Sequence, residues 1–245
     1  MSTDYPAGAK RTRWRFWVST AAAVTGITVT AALGNWQLSR AVYKDRQQAH
    51  AEAQRVLEPL APGAGFSDAV LDRRVVLSGH WLAQATIYLE NRPMNGQAGF
   101  VVLTPLMLDD GRAVLVQRGW APRNPLDRTV LPPMTTPAGT VRVEGRITPP
   151  PSDFLQLQAS QQGPIRQNLD LDAYRSQTRL ALPGVVVLQI GAASDGLLRD
   201  WPQAAAGSDK NRGYAFQWFG MAALIVFLYV WFQIVRRFFP SHRPR

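Results

Sequence analysis

The run YAFQWFGMAALIVFLYVWFQIV, from Tyr214 to Val235, contains no Asp, Glu, Lys or Arg. Its centre, Ala222-Ala223-Leu224-Ile225-Val226-Phe227-Leu228, is apolar at every position, so a helix built from it has no polar face to turn toward water. The run reaches the ~20 residues that cross a hydrocarbon core as helix. Trp218, Tyr229 and Trp231 stand toward its ends, where aromatic rings favour the headgroup zone. The stretch therefore predicts a transmembrane helix, and the rest of the chain is read outward from it.

A second uncharged run, Phe16 to Leu33, follows Lys10, Arg11, Arg13 and Arg15, and continues through Gly34-Asn35-Trp36-Gln37-Leu38 before charge returns at Arg40. A basic segment ahead of apolar residues also fits a secretory signal, and the small residues around Ala31 resemble a cleavage site. The run exceeds the ~7–15 apolar residues of a signal core, so the expectation is an uncleaved anchor. Thr25, Thr28 and Thr30 lower its hydropathy, yet threonine hydroxyls bond back to helix carbonyls and do not bar a span.

The chain of 245 residues carries a formal charge of +10, most of it in the short tails at 1–15 and 236–245. The middle is close to balanced and has no Lys/Arg run that would trace a phosphate backbone, which argues against nucleic acid as a partner. Basic tails flanking two spans place both termini in the cytoplasm by the positive-inside rule, and the segment between them outside it. There is no cysteine, hence no disulfide framework, thiolate metal site or haem-attachment motif.

After the first span, residues 39–57 keep helix formers without Gly or Pro, so the helix is expected to run on as a polar extension until Glu58-Pro59. Strand patterns follow at 74–79, 85–91, 99–108, 113–118, 140–147 and 184–190. Asp109-Asp110-Gly111-Arg112 between two apolar runs signals a hairpin, and Pro105 suggests an edge position or a bulge. Asp170 is placed to cap a short helix ending near Arg175 and Arg179. The fold class is thus a membrane protein with two transmembrane α-helices flanking a mainly antiparallel β (α+β) extracytoplasmic domain. Its segments are a basic tail (1–15), helix 1 (16–38), helical extension (39–57), outer domain (58–212), helix 2 (213–235) and basic tail (236–245).

Catalytic signatures are missing: there is no Walker loop, His-Glu-x-x-His, Gly-x-Ser-x-Gly or Gly-x-Gly-x-x-Gly. His50, His80 and His242 have no ligand-spaced partner in sequence and read as surface or satisfied polar residues, and Asp109-Asp110 reads as a turn. Ala22, Gly26, Thr30 and Gly34 recur every four residues and form a small-residue stripe for close helix contact, with the second helix or with a different membrane protein. The pattern favours a binding or assembly factor. The competing reading is a membrane-anchored enzyme, or a scaffold of another envelope complex, with a dispersed site in the β domain.

Five ordered blocks carry a family resemblance: Leu33-Gly34-Asn35-Trp36-Gln37-Leu38-Ser39-Arg40 with Lys44; Asn91-Arg92-Pro93 with Gly99 to Leu106; Val114 to Arg123, including Arg118-Gly119-Trp120; Val143-Glu144-Gly145; and Tyr214-Ala215-Phe216-Gln217-Trp218-Phe219. Together they resemble the surfeit locus protein 1 family, assembly factors of haem-copper cytochrome oxidases, over residues 16 to 235. The resemblance implies a non-catalytic role in placing haem a in the catalytic subunit of cytochrome c oxidase, with that subunit and its assembly machinery as partners. For a chain without a transit presequence it implies a bacterial inner (plasma) membrane, with the central domain periplasmic. With Gly26 from the small-residue stripe, it leaves Gly34, Trp36, Gln37, Arg40, Arg118, Gly119, Trp120, Tyr214, Gln217 and Trp218 as candidate partner contacts. Bacterial relatives are associated with a haem-binding histidine just before the last block, where this chain reads Lys210-Asn211-Arg212-Gly213. Asparagine is not a usual iron ligand, which leaves Tyr214 and His80 as the nearest candidates for a transient haem a.

Overall fold

The computed structural model describes residues 7–61, 63–151, 163–193, 195–201 and 207–235, with side chains from Trp14 to Gln233. His242 and both predicted basic tails beyond these limits lie outside the described residues. The chain divides into two compact units: Met1–Gln48 with Ala204–Arg245, and Ala49–Gln203.

The second unit is built on seven strands: β1 (Arg74–Trp81), β2 (Ile87–Leu89), β3 (Gly99–Leu108), β4 (Ala113–Pro122), β5 (Val141–Thr148), β6 (Ile165–Arg166) and β7 (Val186–Gln189). Hydrogen bonding runs in the order β1-β5-β7-β4-β3, and a further antiparallel pairing of β1 with β3 closes these five strands into a small barrel. β2 and β6 extend the sheet from β3. Most pairings are antiparallel, as the alternation in sequence implied, but β4–β7 and β2–β6 are parallel. The reason is connectivity: β7 and β6 arrive after long excursions, so neither is bound to the direction a tight hairpin imposes.

The barrel interior is filled from all five of its strands, by Val75, Leu106, Val114, Val143, Ile147 and Val187 among others. A second cluster lies on the opposite face of β2, β3 and β4, where Leu103, Leu115 and Trp120 meet Leu169, Tyr174 and Leu182 from the segment around α2 (Leu171–Thr178). Helix α2 starts as expected: the Asp170 carboxylate accepts from the Ala173 amide at 2.9 Å. It ends at Arg179 in the left-handed conformation, φ 57°.

Pro105 is explained by a change of partners. On the side of β3 away from β4, β2 pairs with Val101 to Leu103, and β1 pairs with Leu106 to Leu108. Pro105 falls in the gap, where no donor is required, and its carbonyl accepts from the Leu82 amide at 2.9 Å. The bulge is elsewhere, in β4: the register steps from Val102↔Gly119 to Leu103↔Gln117, leaving Arg118 as the extra residue.

The first unit pairs α1 (Ala7–Val56), as far as Gln48, with α3 (Ser208–Tyr229), which runs on into a π-helical turn, Val230–Val235. The predicted helical extension is observed as the continuation of α1 to Val56. Helix α3 begins several residues before the expected 213, because Asp209 occupies the first turn and Gly213 is simply an interior helix position.

Both helices are long and apolar enough to cross a membrane. On α1 Thr30, Gly34 and Ala41 are buried, with Ala23, Gly26, Ile27, Ala31, Leu33 and Gln37 half-buried around them; the least exposed positions of α3 are Ser208, Asn211, Ala215, Trp218, Ala222, Ile225 and Tyr229. Steps of three and four alternate through these α3 positions, and through Ala23, Ile27, Thr30, Gly34, Gln37 and Ala41 on α1, a 3.5-residue period that makes the seam of a left-handed two-helix coil. The strict four-residue stripe is corrected accordingly: each step of four drifts about 40° round a helix of ~3.6 residues per turn. Ala22 is therefore exposed while Thr30 and Gly34 are buried.

Candidate functional site

Small side chains bring the two helices together. A Cβ on Gly34 would lie 2.9 Å from the Phe219 ring, and one on Gly26 would lie 3.2 Å from Ile225 Cδ1. Ala41, Ala215 and Ala222 are buried in the same seam, and the Thr30 hydroxyl returns to the Gly26 carbonyl at 2.7 Å. The partner of the stripe is thus the chain's own second helix.

Toward the start of α3 the seam turns polar. The Asn211 side-chain amide donates to Gln37 Oε1 at 2.7 Å, and its oxygen accepts from Lys44 Nζ at 2.8 Å. Lys44 also reaches the Gly207 carbonyl at 3.4 Å, so α1 covers the first turn of α3. Arg212 joins Asp45 at 2.6 Å and Asp209 at 3.3 Å. These outer pairs are exposed and each contributes at most about 1 kcal/mol. At the other end the Thr20 hydroxyl meets the Tyr229 hydroxyl at 2.8 Å, and Gln233 donates to the Ser19 hydroxyl.

Around this polar layer stands a set of exposed side chains. The Arg40 guanidinium lies 5.7 Å from the Trp36 ring centroid, a cation–π pair with both partners accessible. Tyr214 and Gln217 face outward from α3, whereas Trp218 lies partly in the seam.

In the β unit the bulge aims Arg118 inward, where it is fully buried. Its guanidinium donates to Asp195 at 2.7 Å, to the Thr135 carbonyl at 3.0 Å and to Thr136 Oγ1 at 2.8 Å, and lies 4.6 Å from the Trp81 ring centroid. Arg199 takes the other Asp195 oxygen at 2.7 Å and donates through Nε to the Arg118 carbonyl at 2.8 Å. Burial pulls the Arg199 pKa down, and Asp195 opposes that shift. The bulge also reverses the facing of later residues. Trp120 thereby enters the α2-side core, with its indole N–H on the Arg92 carbonyl at 2.6 Å. Gly119 is required because a Cβ there would meet Leu197 at 2.5 Å.

Arg118, Gly119 and Trp120, expected as partner contacts, are therefore corrected to interior residues. The block specifies a bulge and a buried ion cluster. Asp195 and Arg199, one helical turn apart in number, were not singled out from sequence; a charged pair amid Gly, Leu and Leu in an irregular stretch was the available signal.

A haem iron takes imidazole, thiolate, thioether or phenolate as its protein ligand. Position 211 does not fit, since it offers an amide with both ends engaged. Tyr214 is exposed on the helix pair, and His80 Nε2 lies 3.0 Å from Thr140 Oγ1 in the β unit.

The model of the SURF1 family matches residues 24–223, spanning most of both helices and the whole β unit. The chain belongs to the SURF1 family. It is similar to the cytochrome oxidase assembly protein SHY1 of Saccharomyces cerevisiae, 33% identical over 93 residues, which covers 36% of this chain and 24% of that protein. A SURF1-like protein of Dictyostelium discoideum is 29% identical over 42% of this chain and 43% of its own length. A SURF1-like protein of Rickettsia felis is 27% identical over 83% of this chain and 91% of its own. The match thus spans less than half of the yeast and Dictyostelium proteins and nearly all of the rickettsial one. Membership in the SURF1 family agrees with the resemblance drawn from the five sequence blocks, every one of which lies at least partly within the matched range.

Proposed function

We propose that this protein is a bacterial inner-membrane assembly factor for a haem-copper cytochrome c oxidase, acting by binding and helping to place haem a in the catalytic subunit. The observation that carries the reading is membership in the SURF1 family together with likeness to a protein named for cytochrome oxidase assembly. In this reading α1 and α3 span the bilayer with both termini in the cytoplasm, and the β unit lies in the periplasm. The outward helix surface, rich in exposed aromatic and aliphatic side chains, meets lipid and the oxidase. Trp36, Arg40, Tyr214 and Gln217 are the contacts assigned to the oxidase partner near the membrane surface. The haem-ligand histidine associated with bacterial relatives is absent, so no axial ligation is assigned to position 211.

A strain lacking the gene tests the role: its membranes are expected to lose the haem a absorption band and oxidase activity, with both restored by the gene in trans. Unchanged oxidase content would overturn the proposal. Topology is tested separately by reporter fusions. A periplasm-active reporter is expected to work at residue 130 and fail at residue 245, and the opposite pattern would invert the assignment.

A further inference from the structure

Helix α3 opens without a cap. Its N-cap residue is Gly207, which has no side chain to offer, and no side-chain cap bond is made. The first amides of a helix have no acceptor within it, and the aligned peptide dipoles give that end a partial positive charge. Among the described residues nothing outside the helix accepts from the amides of Ser208, Asp209 or Lys210. Asp209 stands in the first turn, but its carboxylate is turned to Arg212 at 3.3 Å.

A second group at the same place is also unsatisfied. Ser208, the first residue of the helix, is 3% exposed, and among the described residues its hydroxyl has no hydrogen bond. Leaving an enclosed hydroxyl unpaired is costly, so its position calls for an acceptor. Lys44 of α1 lies across it: the ammonium donates to the Gly207 carbonyl at 3.4 Å and to Asn211 Oδ1 at 2.8 Å, on either side of Ser208 along the helix. An ammonium has three N–H donors, so one remains. Lys210 is exposed and has no partner among the described residues. The neighbouring carboxylates, Asp45 and Asp209, are both held by Arg212. Unsatisfied donors from the backbone, the hydroxyl and the two lysines therefore gather at the start of α3.

We propose that the N-terminus of α3, with Ser208 and Lys44, binds one phosphate group, met in the cell as the phosphodiester of a phospholipid. A phosphate shares its charge over several oxygens and can accept from helix amides, a hydroxyl and an ammonium together, which suits this set of donors. The lipid as its source rests on the membrane-spanning reading of the two helices. Ser208 stands six residues, or ~9 Å of helix, before Tyr214, where the uncharged run begins. The headgroup zone is about 5–8 Å deep on each side of the hydrocarbon, so the start of α3 meets its outer margin.

The test follows the amide resonances of Ser208, Asp209 and Lys210 in the full-length protein, isotope-labelled on nitrogen and held in maltoside micelles. One arm is titrated with inorganic phosphate and the other with dihexanoyl phosphatidylglycerol. Both probes are expected to move these three amides downfield and to saturate. Ser208→Ala should weaken both at least about fivefold with no loss of melting temperature. Asp209→Asn removes the nearest negative charge and should tighten both by about twofold or more. A merely structural role for the two side chains would not shift affinity in opposite directions. No saturable shift of these amides in the wild type with either probe overturns the proposal, and this titration depends on no variant folding. Equal affinities in wild type and Ser208→Ala overturn the part given to the hydroxyl. Phosphate needs no bilayer, so saturation by phosphate without saturation by the lipid upholds the site and overturns the lipid as its source.

Discussion

The two units place their side chains in opposite senses. In the β unit the largest residues are the most enclosed, with Trp120, Tyr174 and Phe100 at most 2% exposed. In the helix pair Gly34, Ala41, Ala215 and Ala222 are inside, while Trp17, Phe216, Phe227 and Trp231 point out. A domain folding in water is held by removing apolar area from the solvent, worth ~25 cal/mol per Å². Helices in a hydrocarbon solvent gain nothing that way and associate through close packing and a few polar contacts. With the helices in the membrane as proposed, the contrast accounts for the buried charge lying in the domain that has large apolar side chains to enclose it, and for the small residues that line the helix seam.

The largest expected effect tests the enclosed side of this contrast. Asp195→Ala leaves Arg118 and Arg199 buried with no counter-charge, and breaking a buried ion cluster by removing one partner costs about 3–5 kcal/mol. Denaturant melts of the full-length protein in detergent, followed by Trp fluorescence, should show this loss. A cost under ~1 kcal/mol would mean that the two guanidinium groups are neutralised by something other than Asp195.

Next comes the glycine seam. Gly34→Leu forces a branched side chain into a space already occupied by the Phe219 ring and is expected to cost about 1–3 kcal/mol. Gly220→Leu is its internal control, since a Cβ there meets nothing within 4 Å. Thermal scans of the two variants in nanodiscs should separate them by several degrees. Equal melting would mean that the close contact at Gly34 does not hold the helices together. Gly26→Leu falls between, because its obstacle is the movable end of Ile225.

These two tests also mark what was legible in the sequence. The two long helices, the six strand patterns to within a few residues at their ends, and the Asp170 cap follow from period and propensity, which are local. Ring closure was hidden, because it rests on four pairings between strands that do not follow one another in the chain. The two-residue β6 is too short to carry a pattern. The Arg118 bulge was hidden for a different reason: Val114 to Trp120 reads as a regular strand, and only the register against β3, with Val102 opposite Gly119 but Leu103 opposite Gln117, reveals the extra residue. At the helix pair, Gln37 and Lys44 were singled out, but their common partner, Asn211, was read through a missing histidine instead of through the seam it occupies.

Alkaline titration probes the β unit more gently. Burial pushes the Tyr174 phenol up to about 12, against a smaller opposing pull from Arg166. Its hydroxyl donates to the Ala85 carbonyl, tying α2 to the turn before β2. The raised value favours the protonated phenol in the folded state, so the contribution is complete below about pH 10, the unfolded value. It falls as pH rises through 10 toward 12, by up to ~2 kcal/mol. Tyr174→Phe should lose part of that slope while keeping the ring contact with Arg166, 5.3 Å from its centroid. Identical stability–pH profiles for wild type and variant between pH 9 and 12 would remove Tyr174 as the titrating group.

The smallest effect on stability is expected at Asn211, where specificity rather than strength is at stake. A single polar residue in an apolar seam fixes register, because any slip buries it away from its partners. Asn211 has such partners at one register only, Gln37 on one side and Lys44 on the other. Asn211→Leu removes the amide and leaves Gln37 facing an apolar side chain, a change of roughly 1 kcal/mol or less in water-accessible surroundings. The melting temperature should barely move, while the helices become free to slide by one heptad. The chain has no cysteine, so two introduced cysteines at the exposed positions Val29 and Leu224 take spin labels without background. Electron–electron distance measurements in nanodiscs should give one narrow peak for the parent pair and a broadened or split distribution with Asn211→Leu. A distribution that stays single and narrow would show that the small-residue seam and the Thr20–Tyr229, Ser19–Gln233 and Asp45–Arg212 contacts set the register without Asn211, and would leave Asn211 as a solvated group at the end of the seam.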